Sequence, residues 1–434
     1  MLDIKLIRTN PELVRENLKR RKNPEYEKML DRAIELDSEW RRKNMEREKL
    51  RARRNAVSKE IAKLKREGGS SGEVEKLMAE AKEIPKRIEE VENESERMRN
   101  ELRKILMRLP NLLHESVPEG EDEEDNEVVK EWGKKTKHEF SVVSHPDLLE
   151  QLGMADFQQA AKVAGARFYY LMGDIVRVEL ALQQFALEKL AKKGYTTVAP
   201  PHMLRREPYE GVTSLDDFED VLYKIEGEDL YMIATSEHPL AALHMGQTIN
   251  EKNLPLKYAG ISPCYRKEAG SHGKDTKGIF RVHHFNKIEQ FIFCKPEDSW
   301  KYHEELLQNA EEIFQELGLP YRVVNICTGD IGTVAAKKYD LEIWMPAQEK
   351  YREAVSCSNC TDYQARRLNI RWTDGKNRDF LHTLNSTAIA TSRVLVGILE
   401  NFQNKDGTVD IPEALWPYLG GTKKLVAKNA TEHS

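Results

Sequence analysis

Two arginines, a phenylalanine and two glutamates fall within residues 264–290: Arg266, Glu268, Arg281, Phe285 and Glu289, with Lys267 and Val282 among them. Arginine presents a rigid fork of donors that matches phosphate oxygens as lysine cannot. An aromatic ring nearby can stack a purine, and a carboxylate can hold an amine or a hydroxyl. Both flanks alternate as strands do, through Tyr258, Gly260 and Ser262 before the stretch and Ile288, Gln290 and Ile292 at its end. The spacing predicts a hairpin whose tip, with Gly270, Gly273 and Gly278, leaves the backbone free to close over a ligand. A charged surface hairpin with a solvated, Lys-rich tip fits the same residues.

Further polar clusters follow the same rule of a few functional groups beside a strand. Thr235-Ser236-Glu237 comes after a strand-like run and before a helical one, placed to receive an ammonium group or simply to cap the helix. Glu353-Ala354-Val355-Ser356 lies on a strand-like segment, and Glu353 and Ser356 supply oxygen ligands suited to Mg²⁺, although a strand glutamate is often just exposed. Cys357 and Cys360 have half of a zinc-site spacing, but no second pair accompanies them. Asn385 to Arg393 reads as the opening of a last long helix, with small residues around Thr387 and one arginine. No GxGxxG and no GxxxxGK[ST] occurs, which excludes the Rossmann and P-loop modes of nucleotide binding.

The elements that hold these groups follow from the rest of the chain. At 434 residues, two or more domains are expected. No apolar run is long enough to span a membrane, and the start lacks signal-peptide features. Five cysteines point to a reduced, cytoplasmic protein rather than a disulfide framework. From about His138 onward, apolar strands and helices alternate with turns, as in a large α+β domain with an antiparallel sheet. Before it, Pro118 to Asn126 is acidic and reads as a solvated connector.

The net charge of −5 conceals a basic first quarter. Val74, Leu77, Ala81, Ile84, Ile88, Val91 and their successors to Leu109 step by three and four, with Pro85 a kink rather than an end. Ala33, Leu36, Trp40, Leu50, Val57, Ile61 and Leu64 form a weaker matching stripe, and the Gly-Ser run at 67–72 is a reversal. The product is an antiparallel two-helix arm, a rod of roughly 50 Å for helices of about 35 residues. Residues 41–66 carry twelve basic side chains against three acidic ones. That strip suits a phosphate backbone or serves merely to keep a coiled coil soluble.

Together and in this order, the motifs resemble those of class II aminoacyl-tRNA synthetases, most closely the seryl-tRNA synthetase family. Residues 194–201 resemble motif 1, residues 264–290 motif 2 and Leu384 to Arg393 motif 3. The Thr235 and Glu353 clusters and the basic hairpin are marks of the seryl branch. Motif 3 reads Asn385-Ser386-Thr387-Ala388, closer to the archaeal and eukaryotic form than to the bacterial one, and the zinc-dependent variant of the family is disfavoured.

The resemblance implies an N-terminal tRNA-binding arm (1–112), a linker (113–137) and a class II catalytic domain (138–434) of α+β type. It implies ATP-dependent ligation of L-serine to tRNA(Ser), with tRNA(Sec) a further candidate acceptor, by a cytoplasmic homodimer that needs Mg²⁺ and no membrane. Arg266, Glu268, Arg281 and Arg393 would be catalytic. Lys267, Val282, Phe285, Glu353, Ala354, Val355 and Ser356 would join them around ATP, with Glu353 and Ser356 holding Mg²⁺. Phe285 and Arg393 would sandwich adenine. Thr235, Ser236, Glu237, Arg266, Glu289, Asn385 and Thr387 would bind serine, Glu289 and Thr387 through its hydroxyl. Arg41, Arg42, Lys43, Arg47, Arg51, Arg53 and Arg54 would contact tRNA, and Pro201 would lie at the dimer interface. A paralogue loading a carrier protein and a catalytically dead RNA-binding protein are the rivals; the arm argues against the first and the intact site arginines against the second.

Overall fold

The computed structural model describes all residues except 69, 214–218, 269–274, 276 and 428–434. Gly270, Gly273 and the chain end therefore lie outside the described residues. The chain divides into two compact units, Met1–Leu112 and Leu113–Ser434.

The first unit contains α1 (Ile4–Thr9), α2 (Pro11–Lys19), α3 (Pro24–Glu67) and α4 (Ser71–Arg108). Each starts at a side-chain cap, Asp3, Asn10, Asn23 and Ser70 accepting from a backbone N–H of the first turn. At 44 and 38 residues, α3 and α4 exceed the expected length, because Asn23-Pro24 starts α3 earlier than its apolar stripe does. Cross-helix ion pairs run Arg32–Glu101, Lys43–Glu94 and Arg53–Glu80, so partners on α4 descend as α3 ascends and the helices are antiparallel. Val57, Ile84 and Ile88 form the centre of the seam, and α4 continues through Pro85.

The second unit is built on one sheet of eight strands: β1 (Glu127–Trp132), β2 (Thr196–Val198), β3 (Leu256–Tyr265), β4 (His284–Cys294), β5 (Tyr321–Asn325), β6 (Lys337–Met345), β7 (Lys350–Asn359) and β8 (His382–Ala390). The spatial order is β1-β5-β6-β7-β8-β4-β3-β2. Every pairing is antiparallel except β2 on β3. Helices α5 (His145–Gln151), α6 (Asp174–Lys192), α7 (Glu237–Ala242), α8 (Ser299–Glu316) and α9 (Thr391–Asn401) complete the frame. Ile288, Ile292, Leu341 and Leu384 pack into one core with α6, α8 and α9 through Leu182, Phe314 and Leu395. Phe291 and Phe293 enter a second core with Leu240 and Ala241 of α7. The central strands are thus buried on both faces, the pattern of a sheet covered by helices on one side and by a site on the other. No described helix is long and apolar enough to cross a membrane.

Two sequence expectations need correction here. Asn385 to Ala390 does not open a helix: it is the end of β8, paired with both β7 and β4, and α9 begins only at Thr391. Small residues suit a strand buried on both faces as well as a helix start, and the neighbouring strands decide. The acidic connector is not wholly a solvated link either. At its end Asn126 Oδ1 accepts from Cys327 N at 2.8 Å, and the residues that follow it within the expected linker 113–137, Glu127–Trp132, add a strand to the sheet edge. Five of the six residues of β1 are exposed, so no apolar alternation marked it.

Candidate active site

Strand parity gathers the site. On β4, Phe285, Lys287 and Glu289 are two residues apart and therefore share a face. On β7, Glu353 and Ser356 are three apart and would ordinarily point opposite ways. Here Leu341 pairs with Val355 but Glu342 with Glu353, which leaves Ala354 as an extra residue and returns both side chains to one face. A second bulge at Ala388 does the same for Thr387 and Ala390 on β8. Gly260 lets α7 approach, since a Cβ there would meet Ser236 and Leu240 within 2.9 Å.

The result is a cavity of about 130 Å³ lined by Thr235, Glu237, Arg266, Phe285, Lys287, Glu289, Glu353, Ala354, Ser356, Asn385, Thr387, Ala390 and Arg393. Its volume suits a small amino-acid side chain. Glu237 accepts from Gln364 Nε2 at 3.2 Å, and Thr235 Oγ1 accepts from Glu237 N at 3.1 Å. Burial, together with the nearby Glu289 carboxylate, pushes Glu237 up to about 7 against the pull of Lys287 and Arg266. Lys287 makes a buried ion pair with Glu289 Oε2, and Thr387 Oγ1 donates to the same oxygen at 3.5 Å. Asn385 Nδ2 donates to Cys360 Sγ at 3.7 Å.

Arginines dominate the adjoining space. The Arg266 guanidinium lies 5.2 Å from the centre of the Phe285 ring, and Arg266 Nε donates to Ala234 O at 3.3 Å. Arg281 Nη1 donates to Glu268 Oε2 at 3.0 Å. Arg393 donates to the Glu353 carbonyl at 2.9 Å, lies 3.0 Å from the Glu353 carboxylate and sits 5.3 Å from the Phe280 ring. Burial would raise the Glu353 carboxyl, but the fields of Arg393, Lys338 and Arg266 outweigh it and hold it at about 2. A larger cavity of about 920 Å³ takes in Arg281, Arg393 and Arg352, the last bound to Asp275 Oδ2 at 2.6 Å. The returning end of the motif 2 segment is anchored below: Ile279 N donates to His145 Nε2 at 3.2 Å, and His145 Nδ1 faces Glu400 Oε1 at 3.3 Å. A Cβ on Gly278 would strike that imidazole at 2.2 Å.

Most of the residues singled out in the sequence therefore meet around one space. Four do not. Ser236 is fully buried and donates to Gly260 O at 3.4 Å; Val282 and Val355 belong to apolar cores; Lys267 is exposed and lines none of the cavities described. Conversely, Lys287, Arg352 and the buried Lys338–Asp340 pair escaped the sequence reading. Lys287 carried a signal, standing midway between Phe285 and Glu289 on the same strand face. Cys357 and Cys360 are buried thiols pushed up by burial, and the described residues contain no group of three His, Cys, Asp or Glu placed to hold a metal. Pro201 is exposed, next to the edge strand β2.

On the arm, the cations divide. Arg41 pairs with Asp37, Lys43 with Glu94, Arg47 with Glu48, Arg51 with Glu92 and Arg53 with Glu80. Arg42 and Arg54 are exposed and have no ion pair among the described residues. Five of the twelve cations of the expected basic strip are thus paired within the arm, three of them because α4 brings glutamates to face α3.

Comparison with known proteins agrees with this arrangement. Residues 221–402 match the model of the tRNA synthetase class II core domain (G, H, P, S and T), and residues 1–113 match the seryl-tRNA synthetase N-terminal domain. A serine–tRNA ligase of Methanocella arvoryzae is 55% identical over 98% of this chain and 100% of its own. The crystal structure of a Pyrococcus horikoshii seryl-tRNA synthetase complexed with ATP covers 99% of this chain and 100% of its own, at 54% identity and a TM-score of 0.95. The Naegleria fowleri cytoplasmic serine–tRNA ligase in complex with AMP, 39% identical and with 99% of each chain covered, has a TM-score of 0.90. With near-complete coverage at more than half identity, and both domain models matched in order, the chain belongs to the seryl-tRNA synthetase family of class II aminoacyl-tRNA synthetases.

Proposed function

We propose that this chain activates L-serine with ATP and transfers it to the 3′ end of tRNA(Ser), and that the residues around the small cavity divide the work as follows. Arg266 bridges the serine carboxylate and the α-phosphate. A carboxylate oxygen attacks the α-phosphorus, pyrophosphate leaves, and a 3′-terminal tRNA hydroxyl then attacks the acyl carbon and releases AMP. Catalysis is positioning and charge neutralisation, with no covalent enzyme intermediate. Arg281 receives the outer phosphates once it leaves Glu268. Phe285 and Arg393 flank adenine, combining stacking with cation–π attraction. Glu237 and Thr235 take the α-ammonium, and Glu289 accepts from the side-chain hydroxyl. Thr387, which donates to Glu289, acts on the hydroxyl through that carboxylate.

Glu353, held ionised, and the Ser356 hydroxyl fit Mg²⁺, an oxygen-seeking ion that completes its shell with phosphate oxygens and water rather than with a protein cage. When bound it neutralises phosphate charge. The exposed Met203, two residues from the exposed Pro201, and the exposed Leu180, Tyr170 and Met172 support a second copy packing on this unit, as a homodimer would. The cytoplasm is the expected compartment.

The observation that carries the reading is the 130 Å³ cavity, in which the carboxylates of Glu237 and Glu289 lie beside Arg266 and Arg393 and which shares Glu353 and Arg393 with the larger arginine-lined cavity. ATP–pyrophosphate exchange tested with each amino acid checks it. Serine alone should support fast exchange, with alanine and threonine at least about 100-fold slower. Absence of serine-dependent exchange would overturn the reading.

A further inference from the structure

We infer that Lys287 is a positioning residue that orients Glu289, so that selectivity for serine depends on this buried cation as well as on the carboxylate. The inference rests on the serine-activating reading above. The Lys287 side chain is 7% exposed and that of Glu289 2%. A cation so deeply buried is costly unless it is paired, and among the described residues Glu289 is its one ion-pair partner. The two share a strand face of the cavity, so the lysine is part of its wall rather than of a remote core.

The contacts of Glu289 show what the pair does. The Lys287 ammonium and the Thr387 hydroxyl both go to Oε2. Among the described residues, Oε1 has no such partner and remains for a substrate hydroxyl. The terminal torsion of a glutamate is soft and roughly two-fold, so an unclamped carboxylate can present either oxygen over a wide range of angles. Lys287 removes that freedom. Charge count points the same way. The wall carries Glu237, Glu289 and Glu353 against Lys287, Arg266 and Arg393, a balance that a zwitterionic amino acid leaves unchanged. Without Lys287, three carboxylates would share the cavity with two arginines, and the orientation that distinguishes a hydroxyl from a methyl group would be lost first.

Pyrophosphate exchange on the full-length protein, with kcat and KM measured separately for serine and alanine, tests this in Lys287→Met, Lys287→Gln and Lys287→Arg. In the Met variant the serine-to-alanine ratio of kcat/KM should fall about tenfold or more, with KM for ATP unchanged. Arg should restore most of the ratio. Gln keeps the packing and gives the readout if Met fails to fold; its ratio should also fall. Equal losses for both amino acids, leaving the ratio unchanged in Met or Gln, would overturn the inference and mark a purely structural lysine. A parent protein inert towards serine would overturn the functional reading instead.

Discussion

A cation–carboxylate pair serves opposite ends in the two units. On the arm, Arg53 and Glu80 are 45% and 37% exposed. In the cavity, Lys287 and Glu289 are almost wholly withdrawn from water. Water and salt screen the arm pair, whose side chains can part at small cost and take up other anions. The cavity pair cannot part without stranding a charge, so its geometry is fixed before any ligand arrives. The arm therefore offers exchangeable charge, suited to a long phosphate backbone, whereas the site offers fixed charge, suited to one small molecule.

The sharpest way to break that contrast is to remove a fixed charge. Glu353→Gln and Arg266→Ala should each lower the exchange rate by about 10²–10³-fold, the range for losing one preorganised electrostatic contact. A decrease below tenfold in both would show that the cavity is no more organised than the arm. Next in size, Glu289→Ala should reduce discrimination of serine over alanine by about 100-fold with ATP binding largely intact, because in the proposed site alanine would leave Glu289 Oε1 without its hydrogen bond. Identical serine and alanine activation ratios in mutant and parent would remove Glu289 from that role.

A pH profile separates the two regions without mutation. Glu237 is raised to about 7 by burial and by Glu289, so the folded protein prefers its protonated form. For a raised carboxyl the sign is unfavourable to folding at high pH: the cost begins above its ordinary value near 4.5 and is complete above about 7. The ammonium of serine needs the ionised form. KM for serine should therefore rise about tenfold per unit as pH falls below 7, and Glu237→Gln should flatten that limb at a uniformly higher KM. A flat parental profile between pH 5.5 and 8 would contradict the assignment.

What the sequence made legible follows the same division. The hairpin of β3 and β4 and the two-helix arm could be read because periodicity and residue type pointed one way, and the bulk of the cavity wall because the motifs, taken in order, resemble those of a known family. The failures have a common physical cause, which is dependence on a neighbour. Asn385 to Ala390 became a strand because β4 and β7 lie on either side of it, not through its own propensity. The bulge residues Ala354 and Ala388, which turn Ser356 and Thr387 towards the site, have no mark in sequence because register belongs to two strands at once. Lys287 has no motif role to mark it, though strand parity puts it on the face shared by Phe285 and Glu289. On the arm, counting cations on α3 alone ignored the glutamates that α4 brings opposite them.

That last omission yields a finer comparison within the arm. Among the described residues Arg42 and Arg54 have no ion pair to give up, whereas Arg51 and Arg53 must release Glu92 and Glu80 before meeting phosphate. Replacing Arg42 and Arg54 with glutamine should weaken tRNA binding several-fold, reduce the salt dependence of binding by about two phosphate contacts and leave pyrophosphate exchange unchanged. Replacing Arg51 and Arg53 should do less, since each loss also frees a glutamate. Equal effects would show that the observed pairs exert no control over which cations are available.

The smallest expected effect tests the premise of the comparison itself. Arg53→Ala removes both arms of a two-point contact, Nε to Glu80 Oε1 at 2.6 Å and Nη2 to Glu80 Oε2 at 2.8 Å. In a buried setting, removing one partner of such a contact would strand the other charge and cost several kcal/mol. Both partners are solvated here, and the gain is offset by hydration and by the entropy of holding two long side chains. The thermal midpoint should therefore move by no more than about 2 °C, and by less still in molar salt, where the Debye length contracts to about 3 Å. A large loss of stability, persisting at high salt, would mean that the arm's ion pairs are structural after all. In that case the arm, like the site, would be a fixed array of charge, and the exchange of carboxylate for phosphate along it would be ruled out.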